Sequence, residues 1–193
     1  MTVPNKITYG LAVLEEFTLD DTLGSWVKMR WPVRFSPVEI GVLRGSVMDA
    51  QASASELAEP GESYAGITDF VLSRYMVGPE VSSELYVGFQ FLLALPTPPA
   101  WVFHVKDTQL PGETFSWIGV RVSVPVVPVP HEVFEGALYA ARMRAEEIAE
   151  GRPIEGVYAI ELDKFGAEPN LKVMFQLESN PDEAAPIPEA TPT

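Results

Sequence analysis

The chain has 193 residues, of which 47% are hydrophobic and 21% are charged, a composition typical of a globular protein rather than a disordered or fibrous one. Thirteen Lys and Arg against 27 Asp and Glu give a formal net charge of −14. That charge opposes non-specific adhesion to nucleic acid or anionic membrane, so any such contact must be local. The absence of cysteine excludes disulfides and zinc–thiolate sites, and two histidines, His104 and His131, exclude a three-histidine metal site.

Signals for export or membrane insertion are missing from the sequence. The first ten residues, MTVPNKITYG, contain one lysine and are not followed by the apolar segment of a secretory signal. No uninterrupted apolar stretch exceeds five residues, whereas a spanning helix needs about 20. We therefore expect a soluble cytoplasmic protein, in a bacterial cell or an infected host, without a membrane partner.

Short matches between the two halves of the chain predict a tandem duplication. Four matches occur in the same order at nearly constant offset, and two copies in one chain imply an approximate two-fold relation. They are 25–30 on 116–121, 66–75 on 156–165, Pro79 on Pro169, and 86–91 on 172–177.

The duplication predicts four segments. Residues 1–95 form the first repeat, 96–99 a stiff Pro-rich linker, and 100–178 the second repeat. The last segment, 179–193, has four prolines, three acids and no basic residue, so we expect a disordered acidic tail.

Each repeat has the pattern β-β-α-β-β, which predicts an α+β fold with antiparallel sheets, each covered by one helix. The first two strands and the helix are expected at about 7–17, 25–35 and 37–58 in repeat one, and at about 100–108, 115–127 and 130–150 in repeat two. Two further strands close each repeat.

The two helices begin and end at recognisable residues. Ser36-Pro37-Val38-Glu39 has the pattern of a capping box, with Ser at the N-cap and Pro at the first helical position. The second helix presents one apolar stripe and is expected to stop at Gly151. Its core residues are predicted to be Phe134, Leu138, Ala141 and Ile148.

The second strand of each repeat carries the strongest functional signal. One face is continuously apolar, and the opposite face carries a Trp and an Arg in both repeats. The residues expected on the apolar face are Val27, Met29, Trp31, Val33, Phe35, Ile118, Val120, Val122, Val124 and Val126. The residues expected on the opposite face are Trp26, Lys28, Arg30 and Arg34 in repeat one, and Trp117 and Arg121 in repeat two.

Two further observations extend this basic face. His104 and Lys106 alternate on the neighbouring strand of repeat two. No acid occurs between Asp21 and Glu39, or between Glu113 and Glu132. Rings and cations that alternate on an open sheet face are typical of a platform on which the bases of a single strand stack and its phosphates pair with Arg and Lys.

We therefore predict a non-enzymatic protein that binds single-stranded DNA or RNA through these eight residues, encoded by a phage or mobile element. Repeat one has three cations on its strand, so it is expected to dominate affinity. Trp and Arg also dominate protein–protein interfaces. A structural or assembly protein, such as a virion component or an oligomeric adaptor using the same faces, is therefore the alternative. A homo-oligomer is expected, and the acidic tail is a candidate contact for a protein partner.

Catalytic, cofactor and metal sites have no support in the sequence. The adjacent carboxylate pairs, such as Glu15-Glu16 and Glu146-Glu147, point in different directions on a strand or helix, so they do not form an acid–base dyad. Phosphate-binding glycine loops, nucleophile elbows and zinc-protease motifs do not occur. No catalytic residue, cofactor or metal ligand is therefore predicted. The duplicated sheet-and-helix plan is similar to that of Whirly and PUR-repeat nucleic-acid binders, although there the helix follows four strands.

Overall fold

The computed structural model describes most of the chain. The described residues are 13–19, 22–33, 37–77, 80–95, 97, 101–109, 117–125, 127–165 and 168–178. They form the strands β1 (Val13–Leu19) and β2 (Thr22–Val33), the helix α1 (Ile40–Ser55), and the strands β3 (Ser63–Val77) and β4 (Glu80–Leu92). These are followed by β5 (Val105–Gln109), β6 (Trp117–Ser123), the helix α2 (His131–Ile148), β7 (Ile154–Asp163) and β8 (Asn170–Leu177).

The eight described strands form one antiparallel sheet in the order β1-β2-β4-β3-β7-β8-β6-β5. The α+β class with antiparallel strands, predicted from the sequence, is confirmed, and the described residues contain two helices. The expectation of a separate sheet for each repeat is wrong, because β3 pairs with β7 and makes the sheet continuous. Each half of the chain contributes four neighbouring strands. Counted inwards from its outer edge of the sheet, each half places its strands in the order first, second, fourth and third.

The junction between the halves consists of a short strand pair and two crossed bridges. β3 and β7 pair through Val71 opposite Glu161 and Leu72 opposite Ile160. Val38, just before α1, exchanges two backbone hydrogen bonds of 2.8 Å with Val157 on β7. Val129, just before α2, makes the same exchange, also at 2.8 Å, with Ile67 on β3. The segment that enters each helix is therefore held by a strand of the other half.

A glycine makes room for each crossed bridge. A Cβ on Gly156 would lie 2.8 Å from the carbonyl oxygen of Val38, and one on Gly66 would lie 2.6 Å from that of Val129. These distances are too short for any side chain, so the backbones can meet only where the residue is glycine.

Both helices lie on the same face of the sheet and cover the core. The predicted apolar faces are confirmed where the structure describes them: Val27, Met29, Trp31, Val33, Ile118, Val120, Val122 and Val124 are all buried. Phe35 and Val126 lie outside the described residues. On α2, Phe134, Leu138 and Ala141 are buried as predicted, whereas Ile148 is only half-buried at the core margin. The Phe134 ring lies 4.7 Å from that of Phe70, so α2 also packs on β3 of the first half.

Two local predictions are wrong. The helix α1 begins at Ile40 with Glu39 as its N-cap and no side-chain capping bond, because Val38 is held in the bridge to Val157. Ser36 lies outside the described residues. Strand β5 begins at Val105, and residues 101–104 are not a strand. There the backbone N–H of His104 donates to the Ser123 hydroxyl (2.9 Å) instead of joining a ladder.

The predicted ends of the chain remain largely untested. Residues 7–12 and the tail 179–193 lie outside the described residues, and within the linker 96–99 only Thr97 is described. The division into repeats stays a prediction. Neither described helix combines the length and apolar character needed to cross a bilayer.

Because Phe134 is buried between α2 and β3, we expect Phe134→Ala to lower the free energy of unfolding by about 3–5 kcal/mol, since apolar burial decreases and a residual cavity forms. Urea unfolding followed by tryptophan fluorescence measures this. Tyr139→Ala, on the same helix at a residue 66% exposed, is the control and should change stability by no more than about 0.5 kcal/mol. Equal stability of Phe134→Ala and the wild type would contradict this placement of the helix.

Candidate nucleic-acid interface

The sheet face opposite the helices, here called the uncovered face, collects most of the chain's cations. The alternating side chains of β2 and β6 that do not enter the core project there, as the sequence predicted. Seven of the 13 Lys and Arg have their charged groups on this face: Lys28, Arg30, Arg74, Lys106, Arg121, Lys164 and Lys172. Of the 18 acids whose side chains the structure describes, six are placed there: Asp69, Glu84, Glu155, Glu161, Asp163 and Glu168. Among the described side chains, seven of 11 cations but only six of 18 acids therefore lie on one side of the sheet.

A row of directly opposed residues runs across the uncovered face. It crosses seven strands in the order Arg30, Tyr86, Val71, Glu161, Lys172, Arg121 and Lys106. Three cations are neighbours at one end of this row, whereas Arg30 lies at the other end. The register therefore separates the predicted site residues into two groups, one in each half of the sheet.

In the first half, Trp26 is held among polar and charged groups. Its indole Nε1 donates to the Thr68 hydroxyl at 2.6 Å. The Lys28 ammonium lies 4.2 Å from the Trp26 ring centroid, and the Lys164 ammonium lies 5.5 Å from it. Lys164 also forms an ion pair with Asp69 on β3. The ring that was predicted to be free for stacking is thus partly covered by cations.

Arg30 has a carboxylate partner of its own. Its guanidinium forms an ion pair with Glu84 on β4 and lies 5.6 Å from the ring of Tyr86. The Tyr86 hydroxyl donates to the same carboxylate at 2.6 Å. The sequence of β2 contains no acid, but the neighbouring strand supplies one, so the charge of Arg30 is largely compensated.

In the second half, Trp117 packs against an aromatic neighbour with the two rings tilted by 57°. The rings of Trp117 and Tyr158 have centroids 3.9 Å apart, and the Arg74 guanidinium carbon lies 4.2 Å from the Tyr158 ring. Arg74 comes from β3, in the other half of the chain. The second aromatic cluster is therefore built by both halves, as is the first, where Lys164, the residue after β7, lies beside Trp26 of β2.

Three predicted residues of the second half line one depression of about 390 Å³: His104, Lys106 and Arg121. The side chains of Lys106 and Arg121 are exposed and lie on opposed positions of β5 and β6. Among the described side chains, no carboxylate lies within ion-pair distance of either cation. Lys28 and Arg74 also have no carboxylate partner among the described side chains, but each lies over an aromatic ring.

Beside this depression, Lys172 holds Asp163 and Glu161. Its ammonium lies 2.9 Å from Asp163 and 3.6 Å from Glu161. The hydrogen bond from Lys172 is the main cause that keeps the pKa of the Asp163 carboxyl below its ordinary value, and the Phe165 N–H adds to it. The same hydrogen bond raises the pKa of Lys172. Arg121 acts on both groups through its charge.

Seven of the eight predicted site residues lie at the uncovered face in two groups: Trp26, Lys28 and Arg30 in the first half, and His104, Lys106, Trp117 and Arg121 in the second. Arg34 lies outside the described residues. The missed residues are Arg74, Tyr86, Tyr158, Lys164 and Lys172. Lys172 could have been found, because β8 alternates polar and apolar residues as β2 does. Arg74 and Lys164 lie two residues after the buried Leu72 and Leu162. Strand alternation alone would therefore place them on the helix-covered face.

Among the described residues, no three His, Asp or Glu side chains are placed to hold a metal ion. No protein-family model, no curated protein and no solved structure matches this chain. Any functional conclusion must therefore come from the geometry of the uncovered face.

Because the Lys172 ammonium stabilises the ionised Asp163 carboxylate, we expect Lys172→Met to raise the Asp163 pKa towards the ordinary aspartate value. Carboxyl-carbon NMR titration measures the shift. Asp107 serves as an internal control, because the hydrogen bond from Arg144 lowers its pKa and should be untouched by the substitution. An Asp163 titration that does not move in Lys172→Met would contradict the contact.

Proposed function

We propose that this protein binds single-stranded nucleic acid on the uncovered face, without catalysing a reaction. The concentration of seven cations on this face, in a chain of net charge −14, is the observation that carries the proposal. A phosphate backbone is repelled elsewhere on such a chain, and local cations are what hold it. The electrostatics therefore favour one docking face.

The second half is the better candidate for the main phosphate contact, contrary to the expectation that repeat one dominates. Arg121 lies between Lys106 and Lys172 in the cross-strand row. Like charges directly opposite each other destabilise a sheet, so a bound phosphate would relieve repulsion there. In the first half, by contrast, a phosphate would have to displace Glu84 from Arg30.

Aromatic groups are available at several points along the same face. Tyr86 is 41% exposed and lies next to Arg30 in the row, and Trp26 and Trp117 are half-buried on opposite sides of the row. A base that stacks on Trp26 would replace Lys28, which is free to pair with a phosphate once it leaves the ring. Binding should therefore involve exchange of cation–ring contacts for base–ring contacts.

We also infer that the chain is a tandem duplication with an approximate two-fold axis at the β3–β7 pair. The crossed bridges support this, because Val38 and Val129 are 91 residues apart and Ile67 and Val157 are 90 apart, the offsets of the sequence matches. The aromatic clusters support it too. Thr68 and Lys164 contact Trp26. The residues at the matched positions of the other half, 90 residues away, are Tyr158 and Arg74, and these form the cluster at Trp117.

Fluorescence anisotropy with a labelled single-stranded dT oligonucleotide at about 50 mM salt tests the binding proposal. We expect Lys106→Ala/Arg121→Ala to weaken binding and to reduce the slope of log affinity against log salt by about one unit for each phosphate that the variant no longer binds. Arg142→Ala, on the exposed face of α2, is the matched control and should leave both quantities unchanged. Absence of binding by the wild type, or an unaltered salt slope in the double variant, would eliminate the proposal.

A second candidate function, assembly through the same face, is favoured by a different observation. Three cations there already have carboxylate partners: Arg30, Lys164 and Lys172. The cross-strand row also exposes the apolar Val71 beside Tyr86. A charge-compensated face with exposed apolar and aromatic groups suits a protein contact.

Sedimentation velocity separates the two functions. If the face is an assembly interface, Val71→Arg should dissociate the wild-type oligomer, because an extra charge would be buried at its centre. The same substitution should not weaken oligonucleotide binding if the face binds nucleic acid. A wild-type protein that sediments as a monomer at all accessible concentrations would exclude self-assembly.

A further inference from the structure

The two halves differ at one position beside the central arginine of each second strand. Two residues beyond Arg30, β2 is opposed by Glu84, which forms an ion pair with that arginine. Two residues beyond Arg121, β6 is opposed at the corresponding register by Asn170. A neutral amide thus replaces the carboxylate, so Arg121 lacks the ion pair that Arg30 makes at this position.

The depression contains two rows of different chemistry. The first row holds the cations Lys106 and Arg121, with His104 nearby. The second row, two residues further along the strands, holds Asp163, Asn170 and Ser123 as direct cross-strand neighbours, with Glu168 at the rim. The rows are about 6.8 Å apart, which is two residues of strand rise.

Asn170 gives the second row a buried hydrogen-bond acceptor that has no donor among the described residues. Its side chain is 7% exposed, and its Nδ2 donates to the Glu168 carbonyl at 3.1 Å, which fixes the orientation of the amide. Its Oδ1 is buried and has no hydrogen-bond donor among the described residues. A buried acceptor without a donor destabilises the free protein, so a ligand that supplies a donor there is favoured.

We propose that this depression holds one nucleotide of the bound strand and prefers guanine. The inference rests on the proposed nucleic-acid function. The phosphate lies on Arg121 and Lys106, and the base presents hydrogen-bond donors to the acceptors of the second row. Guanine is the base with adjacent N1–H and N2–H₂ donors on one edge. Thymine has a single N3–H between two carbonyl oxygens, which the carboxylates of Asp163 and Glu168 would repel.

The carboxylates suit this role in spite of the nearby phosphate. Asp163 is already bonded by Lys172, which compensates its charge. Glu168 is exposed, so its carboxylate stays hydrated in the free protein. The same side chain can reach the edge of a bound base. The second row therefore accepts hydrogen bonds, while the first row supplies the positive charge.

Competition against a labelled dT 12-mer tests the preference. We expect an unlabelled dT 12-mer with one central dG to compete about tenfold better than all-dT, the size of one good base-edge contact. Glu168→Gln and Asn170→Ala should each reduce this ratio towards one while all-dT affinity stays constant. Glu132→Gln, an exposed acid on α2, is the control and should keep the tenfold ratio. Arg121→Ala should weaken both competitors equally.

Equal competition by the two oligonucleotides would overturn the guanine preference while leaving the proposed function intact. If the wild type binds neither oligonucleotide, the proposed function fails, and 5′-GMP and 5′-TMP monitored by NMR then decide the inference. Shifts at Asn170 and Arg121 with 5′-GMP that disappear in Arg121→Ala and are weaker with 5′-TMP would support the pocket. Absence of those shifts would overturn it.

Discussion

The two-residue pairing of β3 with β7 is the interaction on which the rest of the structure depends. Without it, two four-stranded sheets would each leave an edge strand unpaired, and the uncovered face would be two separate surfaces. So short a pair is weak by itself. It is reinforced by the crossed bridges of Val38 and Val129, which make the entry of each helix part of the other half. Cooperative folding of the halves is the expected consequence.

The sequence predicted the elements that depend on local periodicity. The buried faces of β2 and β6 follow from strict alternation, and the burial of Phe134 and Leu138 follows from helical spacing. The continuous sheet could not be predicted, because nothing in the local pattern of β3 or β7 specifies its partner. The compensation of Arg30 by Glu84 was missed for the same reason: the acid lies 54 residues away and becomes a neighbour only through strand register. The capping box at Ser36 failed because a distant backbone bridge competed with a local preference.

On the uncovered face, the two partners of each ion pair come from different parts of the sheet, not from one strand. Each predicted basic strand is free of acids, yet β3, β4 and β7 carry four acids that pair with cations of this face. The first half satisfies its arginine internally, which stabilises that half in the absence of any ligand. The second half, with Asn170 in the corresponding position, leaves Arg121 between two other cations. The uncovered face therefore has a first half whose arginine is already neutralised by an ion pair. In its second half, the electrostatic energy falls when an anion binds.

The short edge strand β5 limits how copies of this chain can meet. Lys106 projects from its uncovered side, and Asp107, on the opposite side, is tied to Arg144 of α2 by hydrogen bonds of 2.8 and 2.9 Å. An incoming strand would place its own side chains against a charge on either face of the pleat, and charged edge residues are a known means of blocking such additions. Continuous growth of the sheet from molecule to molecule is therefore disfavoured at this edge. A contact between copies on this side of the molecule would therefore have to form between sheet faces or side chains rather than by strand addition.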